Sequence, residues 1–213
     1  MSDVPIKIVE HIHWLGHDSF RIDQPLVIYI DPWRLPPGSP AADLILVSHD
    51  HHDHCSPEDV ERVRQSETTV IANPSAAAKL TQPITILRAG ESLQVGGVNI
   101  EAVPAYNIGK SFHPKEAGHV GFVITIAGER LYFAGDTDRI PEMKGLECDV
   151  ALIPVSGTYV MTAEEAAEAV EDIRPKLAIP MHYGAGVAGT RQDAIRFRSL
   201  STVPVTILET TGS

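Results

Sequence analysis

The sequence predicts an α/β (α+β) fold: one domain over residues 1–213, with two mixed β-sheets packed together and helices outside. Three observations carry this reading. Short apolar runs of β type dominate the chain, and helix starts with capping residues fall only after the later runs of each half. No linker, repeat or low-complexity tract separates the halves. Hydrophobic residues make up 43% of the 213, enough for a sizeable core, which excludes disorder for the chain as a whole.

In order, residues 6–9, 12–15, 20–22 and 26–30 read as strands, the last stopped by Asp31-Pro32. Residues 34–42 hold Pro36, Pro37, Gly38 and Pro40 and read as a loop. Residues 44–47 are continuously apolar, as in a strand covered on both faces. Ser56 is a good N-cap with Pro57 in the first helical position, so a helix follows to about residue 64. A strand over 69–72, a short helix over 75–80 and a strand over 84–87 complete the half. The second half predicts strands over 92–95, 98–103, 120–127, 131–134 and 150–154, with hairpin turns at Gly96-Gly97 and Gly128-Glu129. Thr162 and Glu165 form a capping box that opens a helix to about residue 173, and Pro175 ends it. A strand over 177–180, a helix over 190–200 and a final strand over 205–208 follow.

The formal charge of −11 argues against non-specific nucleic-acid binding, which needs Lys and Arg to neutralise phosphates. Two cysteines are too few for a disulfide framework and fit a reducing, cytoplasmic setting. No apolar run approaches a membrane span, and the first ten residues do not read as a secretion signal. The expected partner is a small molecule, with no nucleic acid and no membrane.

The unusual count is histidine, ten in all, four of them between His49 and His54. His49, His51, Asp53 and His54 lie in a loop between a strand end and a helix N-cap, where ligands of α/β sheets often bind. Imidazole nitrogens and a carboxylate suit a borderline ion such as zinc. His49 and His51 point the same way in extended chain, while the turn can aim Asp53 and His54 at a second point. The H-x-H-x-D-H spacing therefore suits two adjacent ions, and chance supplies only on the order of 10⁻³ such matches in a chain like this.

That segment resembles the signature of the metallo-β-lactamase superfamily. The likeness continues through Phe133-Ala134-Gly135-Asp136-Thr137 and Ile179-Pro180-Met181-His182-Tyr183-Gly184. Trp14-Leu15-Gly16-His17 and Ile30-Asp31-Pro32-Trp33 resemble the branch that includes the ascorbate-6-phosphate lactonases. The resemblance implies a four-layer αββα sandwich with the site at one edge. It assigns His49 and His51 to a first metal, Asp53, His54 and His182 to a second, and Asp136 to the bridge between them.

One departure stands out. Asn107 occupies the slot where the family places a third histidine on the first metal, and His113, six residues on, is the replacement ligand or catalytic group. His17 is expected to line the pocket and, with His113, to supply a proton to the leaving group. Asp31 reads as a second-layer partner of a metal-binding histidine or as a turn residue. Ser156, Thr158 and Tyr159 are expected near substrate, His52 away from the ions, His11 and His13 on the surface, His119 outside the site, and Cys55 as a small buried residue.

Two ions about 3.5–4 Å apart sharing a hydroxide would supply a nucleophile at neutral pH. The expected function is thus a metal-dependent hydrolase of a small, anionic ester, lactone or phosphodiester. It would carry one or two Zn2+ ions, with Mn2+ or Fe2+ as alternatives, and Asp53, His113 and His17 in catalytic roles. A nuclease of the RNA-processing branch is the alternative enzyme, and the negative charge counts against it. A redox role like that of the flavodiiron relatives would need a flavin domain for which the chain is too short. A non-catalytic protein with a vestigial metal site is kept open by Asn107.

Overall fold

The computed structural model describes residues 6–211. Its frame is two six-stranded sheets, each ordered as the chain runs. The first comprises β1 (Ile12–Gly16), β2 (Ser19–Ile22), β3 (Ile28–Ile30), β4 (Leu44–Val47), β5 (Thr69–Ala72) and β6 (Thr85–Ile86). The second comprises β7 (Ser92–Val95), β8 (Val98–Pro104), β9 (Val120–Ile126), β10 (Glu129–Phe133), β11 (Val150–Pro154) and β12 (Leu177–Met181). Each sheet begins antiparallel and ends parallel, from β3 onward in the first and from β10 onward in the second.

Parallel neighbours need crossovers. Helices α1 (Pro57–Val63), α2 (Pro74–Ala77) and α3 (Ala163–Ile173) supply three of them, and α4 (Arg191–Leu200) follows β12. The capping residues act as the sequence predicts: Ser56 caps α1, and Thr162 with Glu165 closes a reciprocal capping box on α3. Along α3, Ala163, Ala166, Ala167, Val170 and Ile173 are buried, the spacing of one apolar helical face.

Strand alternation divides the core. Ile28, Ile30, Leu44 and Leu46 face the second sheet and join Phe20, Phe122 and Phe133. The rings of Phe20 and Phe133 meet edge to face at 6.3 Å. Tyr29, Ile45 and Val47 point the other way, against Val60 and Val63 of α1 and Ala76 of α2. Burying each such large side chain contributes about 1.5–3 kcal/mol, so both faces of β3 and β4 are fixed by packing. The result is the expected αββα sandwich.

Three local expectations fail. Residues 6–9 are not a strand: Lys7–His11 is a 3₁₀ turn, its Lys7 and Ile8 amides held by the Glu129 carboxylate at 2.9 and 2.7 Å. His11 therefore does not share a strand face with His13. Residues 205–208 form no strand; the chain makes single bridges, Val205 to Ala178 and Thr210 to Trp14, as it passes from the edge of one sheet to the edge of the other. The β9–β10 turn is Ala127-Gly128 rather than Gly128-Glu129: Ile126 pairs with Glu129, and both turn residues have positive φ, 50° and 86°. Among the described residues no helix is long and apolar enough to cross a membrane.

Candidate metal centre

Every site loop leaves one edge of the sandwich. His17 and Asp18 join β1 to β2; Asp31 follows β3; His49 to His54 follow β4; His113 lies between β8 and β9; Asp136 follows β10; His182 follows β12. The His49–His54 loop is a tight turn in which the His51 carbonyl accepts from the amides of His54 (3.1 Å) and Cys55 (2.8 Å), just ahead of the Ser56 cap. Cys55 itself is buried, as expected. Gly135 presents Asp136: its φ is 65°, and a Cβ there would meet the Val120 carbonyl at 3.0 Å. Four of the seven non-glycine residues with positive φ among those described are His17, Asp31, His113 and His182. Backbone strain of this kind concentrates at functional sites.

Three groups of donor atoms are each gathered within 4.8 Å. The first is His49, His51, His113 and Asp136, and the second is His17, Asp18, His54 and His182; a third, Asp31, His49 and His54, takes one histidine from each. In the first, His51 Nδ1 lies 3.1 Å from His49 Nε2 and 3.0 Å from His113 Nε2, and His113 Nε2 lies 3.2 Å from Asp136 Oδ2. Asp136 also reaches the second group, with Oδ1 3.3 Å from His54 Nε2 and Oδ2 3.4 Å from His182 Nε2. It therefore stands between the two. Burial alone would raise its carboxyl, but His54 and His182 outweigh burial and hold it well below the usual carboxylate range.

The imidazoles are aimed from behind. Ser48 donates its amide and hydroxyl to Asp31 (2.7 and 2.5 Å), and Asp31 in turn accepts from His54 Nδ1 at 2.8 Å. The same Ser48 oxygen accepts from His49 Nδ1 at 3.0 Å. Ser156 Oγ holds His182 Nδ1 at 2.7 Å, and the Tyr159 carbonyl holds His113 Nδ1 at 3.1 Å. A proton fixed on Nδ1 leaves the Nε2 lone pair facing the centre, the arrangement of metal-binding histidines.

Several of the buried atoms in and around the cluster are unsatisfied. His54 Nε2, His182 Nε2, Asp136 Oδ1 and both oxygens of Asp18 are buried without a hydrogen-bond partner. Interiors rarely tolerate such groups. Separations of 3.0–3.4 Å between donors are those of ligands sharing one ion at about 2.0–2.2 Å. The residues fit a divalent cation in each of the first two groups.

His113 does reach the cluster, carried by a loop that Asn107 braces: the Asn107 amide nitrogen donates to the Tyr159 carbonyl (2.6 Å), and its backbone amide donates to the His113 carbonyl (2.8 Å). Asn107 thus helps to position His113. Asp53 is the residue placed differently from expectation. Its Oδ2 pairs with His17 Nε2 at 3.1 Å, and it lines the cavity outside all three donor groups. Burial opposes its ionisation, but His17 and His54 prevail and keep it well below the usual range. Burial brings His17 down to about 4, so this imidazole is neutral. His52 is exposed, and His119 is buried with its ring stacked on His49. Asp18 was not foreseen; it follows His17 in the chain, but nothing in the sequence marks a hairpin-loop aspartate as buried.

A cavity of about 350 Å³ opens beside the cluster, with His51, Asp53, His113 and Asp136 at its base and Phe112, Tyr159 and Val187 in its walls. The Phe112 and Tyr159 rings meet edge to face at 4.7 Å. Ser156, expected near substrate, serves instead to orient His182.

A family model described as a β-lactamase superfamily domain matches residues 11–182. A UPF0173 metal-dependent hydrolase of Thermoplasma acidophilum is 33% identical over 207 residues, covering 89% of this chain and 90% of its own. A solved structure from Parabacteroides distasonis, described as a candidate metal-dependent hydrolase, superposes with a TM-score of 0.84 at 33% identity, covering 94% of this chain and 93% of its own. Igni18, a metallo hydrolase from Ignicoccus hospitalis, shares the fold with a TM-score of 0.75 at 24% identity, covering 93% of this chain and 94% of its own.

Proposed function

The chain belongs to the β-lactamase superfamily and, within it, to the UPF0173 metal-dependent hydrolases, and from that membership we propose that it cleaves a small ester, lactone or phosphodiester at a two-ion centre. The observation that carries the two-ion reading is the place of Asp136, within 3.4 Å of donors in the first and second groups. His49, His51 and His113 would hold the first ion, and His54 and His182 the second, with Asp136 between and Asp53 on the cavity side, paired with His17. We read the ions as zinc, with manganese and iron as the alternatives that His and carboxylate ligands also accept. Once bound, they supply Lewis acidity toward water and toward the attacked carbonyl or phosphoryl oxygen.

The chain's own groups do the rest. Asp31, Ser48, Ser156 and the Tyr159 carbonyl keep the imidazole protons on Nδ1 and the lone pairs on the centre. His17 donates Nε2–H to Asp53, which faces the cavity as an anion. With His17 neutral and Asp53 ionised, the pair has no proton of its own to give; it would take one from the attacking water at Asp53 and return that proton to the leaving group. Phe112, Tyr159 and Val187 give the cavity an apolar side next to the cluster.

We propose a small anionic substrate, with phosphorylated lactones suggested by the resemblance to the ascorbate-6-phosphate lactonases. The charge of −11 disfavours long polyanions, whereas one phosphate or carboxylate can be held at the ions alone. The two free cysteines, Cys55 and Cys148, support placement in a reducing cytoplasm. The test is a panel of lactones, an aryl phosphodiester, thioesters and a precursor tRNA on one zinc- or manganese-loaded preparation. Turnover of a small substrate is expected. A higher kcat/KM on the tRNA than on every small substrate, falling steeply with salt, would replace this reading with the nuclease.

A further inference from the structure

We propose that Asp18 is a metal ligand, its carboxylate completing the second ion site beside His54 and His182 on the side closed to solvent. The inference rests on the metal-dependent reading above and adds a residue to it. Asp18 and its neighbour His17 form the two-residue loop between β1 and β2, since Gly16 pairs with Ser19. Loop tips of this kind normally point to water, yet both residues are 0% exposed. The pairing register shifts between Trp14 and Gly16, and Gly16 and His17 both have positive φ (109° and 53°). Irregularities of this sort re-aim side chains beside functional sites.

The protein shows, in Asp31, how it treats a buried aspartate it intends to satisfy by itself. Asp31 is also 0% exposed, but accepts from the Ser48 amide, the Ser48 hydroxyl and His54 Nδ1. Asp18 has no hydrogen-bond partner on either oxygen. Its ion-pair contact among the described residues is His54 Nε2 at 3.6 Å. The two carboxylates thus approach His54 from opposite nitrogens. Nδ1 of His54 is taken by Asp31, and Nε2 faces oxygens of Asp18 and of Asp136. An imidazole nitrogen and two buried carboxyl groups converging in an interior need a proton or a cation among them, and a metal ion meets that need for all three at once. Asp18, His17, His54 and His182 meet the distance requirement for one ion. The added carboxylate makes this site richer in oxygen, which favours Mn2+ relative to its affinity in a histidine-only site.

The test compares wild type with Asp18→Asn and Asp18→Ser. Zn2+ and Mn2+ affinities are measured by competition with a chromogenic chelator, bound metal by elemental mass spectrometry, and Tm with and without metal. Both variants should bind the second ion at least about tenfold more weakly, with the larger loss for Mn2+. Metal-free, Asp18→Asn should melt at or near metal-free wild type, because the wild-type carboxyl makes no hydrogen bond that is lost; zinc-loaded, it should melt below zinc-loaded wild type. Affinity and stoichiometry within twofold of wild type in both variants would overturn the proposal. So would a metal-free Asp18→Asn that melts well below metal-free wild type, which would make the carboxylate structural. A wild type that binds neither ion would sink the metal-dependent reading itself, a pattern distinct from the variants matching a metal-loaded wild type.

Discussion

Strands β10, β11 and β12 run parallel, and their two ends treat charge in opposite ways: the amino end holds a half-buried carboxylate, the carboxyl end a fully buried one. At the amino end, Asp149 is satisfied by the protein: its carboxylate accepts from the Arg130 amide at 2.8 Å and pairs with Lys176 at 2.7 Å. Its own amide donates to the Arg130 carbonyl, and its carbonyl accepts from the amides of Lys176 and Leu177. At the carboxyl end, the same strands deliver Asp136 and His182, whose Oδ1 and Nε2 atoms have no hydrogen-bond partner. One end closes its polar network with its own residues. The other leaves buried atoms that a cation would satisfy, and that difference sets the two ends apart more clearly than charge alone.

The comparison breaks most visibly at the carboxyl end. His54→Ala should lose one bound ion and reduce kcat by at least about a hundredfold, read by elemental analysis and hydrolysis together; full metal content in this variant would show that the second group is not a ligand set. Asp31→Asn keeps the shape but weakens the hold on His54 Nδ1, and should cost about 10–100-fold in metal affinity or activity with the fold retained by circular dichroism. His113→Ala should cost at least about tenfold in metal affinity or kcat, and wild-type values would return the loop to a bystander role. The smallest effect belongs to the amino end. Asp149→Ala should lower Tm by about 2–4 °C at pH 7 and leave metal content unchanged. Burial opposes ionisation of Asp149, but Lys176 and the Arg130 amide prevail and lower its pKa below the ordinary 3.8. A depressed carboxyl stabilises above its unfolded pKa, so the gap between variant and wild type should be full above about pH 4 and close as the pH falls through the folded value.

The same contrast explains what the sequence could say. His49, His51, Asp53 and His54 were legible because one loop holds them all within six residues. Asp136 and His182 each stand alone at a strand end, and only their order behind that loop marks them. His113 could be named because Asn107 fills the expected slot, yet its reach depends on the Tyr159 carbonyl and the Asn107 brace, which no local pattern encodes. Asp18 was invisible, since a polar hairpin loop reads as exposed and its burial comes from packing between sheets. The fold was readable where periodicity and caps agree, as in β4 and α3. It was misread at residues 6–9 and 205–208, where contacts from Glu129, Ala178 and Trp14, distant in sequence, decide the backbone.

The most direct test of the central claim is the metal content of the native protein. Purified under zinc saturation, dialysed and analysed by native mass spectrometry, the chain should hold between one and two ions, released by a strong chelator together with activity. A folded chain that carries no metal under those conditions would contradict the account.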